Sequence, residues 1–412
     1  MEWIDAISAW RSALPSLAKF AITMLVIVGV PALARRARIP EMVALLVFGV
    51  LLGPHVLGLA EENHPIVQFF ADLGRLMLMF SAGLEIDINR FRQAQTLSIT
   101  FGVVTTLTPL ALGTACGLAF GYRTIPSVVI GSLLASHTLL SLSIVRRLGA
   151  IGLEPIVVTL GATMVSDTLS LVIFGICVST YTTGFSLSGL AVQIGEVAIF
   201  VPLILIGVSR AGAWILNKLR DNEEGYFVTM LGIMAVAGLL ADLIRLPDIV
   251  GAFLAGRAVN AAAESHPAKE KLEFVGTALF APVFFLVTGF LISPIAVERT
   301  IFDNFWLVAG IIAALILGKG FAAEITGRAL GYARRTRLTM AAMTLPQVAA
   351  TLAAALVGYN TLNSAGIQLL DEKVFNAVLV LMVVTSILGP ILTEQFAPGM
   401  VQEESRTKLA AP

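Results

Sequence analysis

The sequence predicts an all-α polytopic membrane protein of about thirteen transmembrane helices, arranged as two inverted repeats. Three observations carry this. The 412 residues are 57% hydrophobic and 13% charged, with a mean hydropathy of +0.89, and the charge is roughly half that of an ordinary soluble domain. Apolar runs long enough for a bilayer of about 30 Å recur along the whole chain. Lys and Arg gather in every second link between those runs, the pattern of cytoplasmic loops.

The runs fall near 15–34, 41–59, 65–84, 95–120, 125–145, 154–178, 187–209, 226–243, 246–264, 272–293, 302–327, 337–358 and 374–396. Met1–Pro15 contains Glu2, Asp5 and Arg11 and no small-residue cleavage site, so the first run reads as a retained span. Gly49, Gly53 and Gly58 with Pro54 punctuate the second run. They fit close packing and a bent end, because no Lys-Ser/Thr pair follows to make a phosphate loop.

Links after the odd-numbered runs, with the run residues next to them, hold Arg35, Arg36 and Arg38; Arg90 and Arg92; Arg146 and Arg147; Arg210, Lys218 and Arg220; Arg257, Lys269 and Lys271; and Arg328, Arg334, Arg335 and Arg337. Links after the even-numbered runs hold only Arg123, Arg245, Arg299 and Lys373. The alternation places the N-terminus outside and the C-terminus in the cytoplasm. Six runs, one connecting run and six more give halves that enter the membrane from opposite sides, the layout of many secondary transporters.

Several function classes drop out. The 27 basic and 27 acidic residues cancel, and no basic tract is long enough to follow a nucleic-acid backbone. Cys116 and Cys177 sit in separate apolar stretches without metal-ligand spacing and read as core residues. No nucleotide motif is present, so transport powered directly by ATP is not expected, and the chain reads as a transporter rather than an enzyme, with no cofactor.

The ionisable residues inside the apolar runs carry the chemistry. Asp167 lies midway through TLGATMVSDTLSLVIFG, after Ser166 and near Thr163 and Ser170 on its helical face. A charged carboxylate at that depth costs about 3 kcal/mol or more, so a proton and a cation compete to neutralise it. Lys319 interrupts FWLVAGIIAALILGKGFAAEI between Gly318 and Gly320, where another backbone can approach. It needs a carboxylate or several carbonyls as partners; pairing with Asp167 and neutralising broken helix ends are both open. Glu324 reads as a rim group or an accessory to ion entry, and Thr163 as an accessory beside Asp167; Glu196 and Arg75 are weaker candidates.

Two polar breaks complete the set. GSLLASHTLLSLSI places Ser136, His137 and Thr138 at the centre of one run, and MTLPQVAATLAAALVG places Thr344, Pro346, Gln347 and Thr351 in another. Pro346 removes an amide donor. Broken helices at membrane depth expose carbonyls and amides that can stand in for water around a small cation. His137 serves either helix packing or pH sensing.

Arg38-Ile39-Pro40 followed by FGVLLGPHVLGL at 48–59, then FSAGLEIDINRFR at 80–92, LPDIVGAFLAGRAV at 246–259, PVFFLVTGFLI at 282–292 and Lys319 together resemble the second branch of the monovalent cation/proton antiporters, the Kef- and Nap-type proteins. The resemblance implies a homodimer in lipid, in a bacterial inner membrane, exchanging Na+ or K+ for H+ and serving pH homeostasis. It implies scaffold helices in 1–94 and 226–300, core helices in 95–178 and 301–398, a linking helix in 179–225 and a cytoplasmic tail at 399–412. It implies two crossed discontinuous helices at the two breaks, with the essential carboxylate on Asp167, the core lysine on Lys319 and a polar crossover residue on Thr138.

Where many relatives carry two adjacent acids, this chain has Ser166-Asp167. A single exchangeable carboxylate points to electroneutral exchange of one proton for one cation, sodium before potassium. A potassium/proton antiporter is the alternative. So is a Kef-type gated potassium efflux protein, for which a cytoplasmic regulatory extension would be missing from the present sequence.

Overall fold

The computed structural model describes residues 16–37, 40–58, 65–84, 94–138, 140–184, 186–263 and 266–410. Met1–Pro15 and the basic residues Arg38, Arg90 and Arg92 lie outside the described residues. Helices α1 (Ser16–Ala37), α2 (Glu41–Leu52) and α3 (Pro65–Leu84) lead to α4 (Gln95–Ala119). The first broken element follows as α5 (Thr124–Ala135) and the short α6 (Leu142–Arg147). Next come α7 (Glu154–Thr183) and α8 (Leu187–Pro202), which runs through a π-helical turn at Leu203–Val208 into α9 (Ser209–Lys218).

The second half holds α10 (Glu223–Leu243) and α11 (Asp248–Ala263). Helix α12 (Pro267–Val275) joins α13 (Ala281–Phe290) through another π-helical turn at Gly276–Phe280. Helices α14 (Pro294–Asp303) and α15 (Phe305–Ala329) precede the second broken element, α16 (Arg334–Met343) and α17 (Ala349–Asn360), and α18 (Glu372–Ala410) ends the chain.

The expected count of about thirteen transmembrane helices is corrected. Among the described residues, eight helices are long and apolar enough to cross a membrane. Hydropathy registers apolar residues but not where a helix stops, and several runs fold as shorter pieces. Helices α2 and α5 have 12 residues each, about 18 Å at 1.5 Å per residue, short of a hydrocarbon core of about 30 Å. Helix α11 has 16 residues, while α16 and α17 have 10 and 12. The six-one-six partition rested on the higher count and falls with it; the discontinuous helices stand.

Two packing groups emerge. Helix α4 packs on α5, α7 and α15, and α16 packs on α15 and α18. Separately, α3 packs on α11 and α13, α2 on α13, and α10 on α11. Glycines let backbones meet in both groups. A Cβ on Gly49 of α2 would run into the Leu286 carbonyl and lie 2.9 Å from the Gly289 Cα of α13, which is the close packing expected of that run. At one connection between elements, the Tyr122 hydroxyl donates to both carboxylate oxygens of Asp371, at 3.2 and 3.1 Å. Burial, then the facing Asp371 charge and the hydrogen bond itself, push the phenol up and keep it a donor.

Beside Lys319, α15 meets α4 equally closely. A Cβ on Gly318 would sit 2.6 Å from the Pro109 Cα, whereas one on Gly320 would meet nothing within 4 Å. Only the first of the two flanking glycines is therefore needed for close approach. Gly318→Ala is expected to force α15 off α4 at an overpacking cost of about 1–3 kcal/mol. Thermal unfolding of the purified protein in detergent should show a melting temperature several degrees lower, with Gly320→Ala close to wild type.

Candidate functional site

Helix α5 stops at Ala135, Ser136 is extended, and residues 136–138 have no regular secondary structure. A helix end leaves its last carbonyls without intrahelical donors. Here side chains from elsewhere supply them. Gln347 Nε2 donates to the Leu134 and Ser136 carbonyls at 3.3 and 2.5 Å. Lys319 Nζ donates to the Ala135 carbonyl at 2.5 Å and to the Thr105 carbonyl of α4 at 3.1 Å. The ammonium thus sits at the negative end of a half-helix, where the helix dipole favours it.

The second break, between α16 and α17, lies against the first. The Thr138 amide donates to the Pro346 carbonyl at 2.8 Å. Thr351 Oγ1 donates to Gln347 Oε1 at 2.5 Å and lies 3.4 Å from Ser136 Oγ. The Gln347 amide donates to Thr385 Oγ1 of α18 at 3.1 Å. Gln347 therefore uses its backbone N–H, both side-chain polar atoms and its burial at 0% exposure to hold the two breaks together.

Asp167 faces this crossing from the middle of α7. Its Oδ1 accepts the His137 backbone N–H at 3.3 Å, and the residue is partly exposed. The His137 ring is 3% exposed and lies between two hydroxyls of α7. Nε2 is 2.9 Å from Thr163 Oγ1 and Nδ1 is 3.3 Å from Ser166 Oγ. Thr163 Oγ1 also donates to the Thr159 carbonyl at 3.1 Å, and Ser166 Oγ reaches the Thr163 carbonyl at 3.1 Å. Ser170 Oγ donates to the Asp167 carbonyl at 3.1 Å rather than to its carboxylate.

The structure therefore brings together Asp167, Ser166, Thr163, Ser136, His137, Thr138, Lys319, Pro346 and Gln347. It separates Glu324, whose carboxylate pairs with Arg328 Nε at 2.7 Å and with Arg337 Nη1 at 3.3 Å. Arg75 lies in the other packing group, 3.2 Å from Asp248 and 3.4 Å from Asp72. Of the two partnerships left open for Lys319, the half-helix end is the one observed.

Two contributors went unseen in the sequence. Thr105 acts through its carbonyl, for which residue type gives no signal. Thr385 stands in LMVVTSILG, a polar pair inside an apolar run that marks it in hindsight. Chemically, the arrangement is a carboxylate that accepts a backbone N–H, hydroxyls nearby and a lysine whose Nζ bonds two carbonyls. Such a carboxylate can hold a proton or a small cation.

The chain is 43% identical to "Na(+)/H(+) antiporter NhaS5" of Synechocystis, over 93% of its own length and 55% of that protein's. It is 26% identical to "Probable Na(+)/H(+) antiporter 3" of Methanocaldococcus jannaschii, over 91% and 95%. The chain thus spans about half of the first relative and nearly all of the second. The solved sodium proton antiporter MjNhaP1 of Methanocaldococcus jannaschii superposes with a TM-score of 0.67, covering 92% of this chain and 96% of that one, and at 16% identity the likeness is one of fold. Residues 22–397 match the transmembrane sodium/hydrogen exchanger family, and the chain belongs to that family.

Proposed function

We propose that the chain is a secondary active sodium/proton antiporter of the second cation/proton branch, exchanging one proton for one Na+ at Asp167. The observation that carries this is the Asp167 carboxylate at mid-helix, facing the crossing of two broken helices and accepting the His137 amide N–H there. Na+ and H+ compete for it, and competition alone couples the two fluxes. An empty charged carboxylate is costly to carry through the bilayer, whereas the loaded or protonated form is not. Ser166 and Thr138 supply neutral oxygen ligands to complete the shell. The order of the Gly-rich segments supports the branch, and the printed names of the relatives support sodium.

Lys319 is a fixed charge in this scheme. Its Nζ already bonds two carbonyls, which supports a one-for-one electroneutral cycle. Packing supports a core domain of α4–α7 and α15–α18 working against a scaffold of α1–α3 and α10–α13. Two copies form a homodimer through the scaffold, and the basic links face the cytoplasm.

The test is reconstitution of the purified chain in liposomes. Proton movement driven by Na+, Li+ and K+ gradients is followed with the membrane voltage clamped and free. Sodium-driven exchange with a voltage-independent rate is expected. A rate that follows voltage overturns the one-for-one stoichiometry, and exchange driven by K+ but not by Na+ overturns the choice of ion.

A further inference from the structure

We infer that His137 is a positioning residue that sets cation affinity by aiming its own backbone N–H at Asp167. The inference rests on the antiport reading above and assigns the residue that tunes its site. Residues 136–138 lie between two helices and have no regular secondary structure, so no helical hydrogen-bond ladder fixes the direction of the His137 amide. That amide meets the Asp167 carboxylate at 3.3 Å, and Gln347 holds the other side of the same planar peptide at the Ser136 carbonyl.

The ring is gripped at both nitrogens by hydroxyls on the same helix that carries Asp167, at 2.9 Å by Thr163 and 3.3 Å by Ser166. Thr163 and Ser166 are three residues apart and so share one face of α7. A neutral imidazole has one N–H and one lone pair, and the hydroxyls match that. Thr163 already donates to the Thr159 carbonyl, so it receives the Nε2 proton. Ser166 has one proton for the Thr163 carbonyl at 3.1 Å and Nδ1 at 3.3 Å, and when it is turned to Nδ1 its lone pairs are left for a cation. One side chain thereby sets two features of the site: the donor facing the carboxylate and the orientation of a ligand hydroxyl. A neutral ring adds no charge to a site whose charge decides the coupling, which an Arg or Lys tether would do.

A purely structural histidine fills the same space without setting affinity, and the experiment separates the two roles. In liposomes, His137→Leu keeps the bulk but removes both ring bonds. It is expected to raise the half-saturating Na+ concentration about tenfold, the loss of one or two such bonds, while turnover at saturating Na+ stays within about threefold. His137→Gln, whose amide reaches the place of Nε2, should recover much of that affinity through Thr163. His137→Asn, which reaches the place of Nδ1, should recover part of it through Ser166.

An unchanged half-saturating concentration in the leucine variant overturns the inference, as does a loss confined to turnover. So does a glutamine variant no better than leucine when both are folded. If leucine fails to fold, the order Gln above Asn in affinity, both below wild type, still decides it, and equality with wild type refutes it. Coupled exchange surviving in Asp167→Asn in the same vesicles would instead sink the underlying antiport reading.

Discussion

Asp167→Asn is expected to abolish coupled exchange, with sodium-driven proton movement at least about 100-fold below wild type, equivalent to roughly 2.7 kcal/mol. The substitution is informative because it changes so little else. An asparagine occupies the same volume, and its Oδ1 can keep accepting the His137 N–H that the carboxylate accepts at 3.3 Å. The crossing therefore stays assembled, and only the capacity to take up a proton or balance a cation is lost. Melting temperature in detergent should stay near wild type, which separates a lost charge from a lost fold. If the amide variant still exchanged Na+ for H+ in sealed vesicles, the coupling carboxylate would have to be another residue. Glu324 would not replace it, because Arg328 and Arg337 already neutralise it.

The parts of the site legible in the sequence are those where one residue breaks a strong background. Asp167 and Lys319 stand out because a charge in an apolar run has few explanations, and Pro346 marks a break because it removes a donor. Ser136, His137 and Gln347 were visible as polar interruptions, but their pairings were not. Gln347 reaches the Leu134 and Ser136 carbonyls more than 200 positions away in the chain, and a backbone carbonyl leaves no trace in composition. The pairing of Glu324 with Arg337 across two helices is equally invisible in a linear reading.

The helix count failed for a different reason. Hydropathy measures transfer from water and cannot tell one long helix from two half-length helices separated by an extended break. The runs at 125–145 and 337–358 are each divided in this way. Dividing them is what delivers carbonyls and amides to the middle of the protein, so the sequence reading erred in number where the polar breaks had already indicated the structure.

Lys319→Met is expected to cut exchange at least tenfold and to lower the melting temperature. Methionine fills the space but leaves the Ala135 and Thr105 carbonyls without the donor they have at 2.5 and 3.1 Å. Each buried group left unpaired costs about 1–3 kcal/mol, and the half-helix end also loses the charge that opposes its dipole. Lys319→Gln decides what the ammonium is for. A glutamine amide offers two N–H donors without a charge and without a proton to give up. If Lys319 is a fixed clamp on the carbonyls, the glutamine variant should recover most of the stability, and whatever exchange it shows should remain independent of voltage. If Lys319 instead carries a proton in each cycle, the wild type should respond to voltage and the glutamine variant should not, even at full stability. Electroneutral wild-type exchange together with a stable, voltage-independent glutamine variant would leave Asp167 as the sole exchanging group, with the lysine holding open the crossing that it faces.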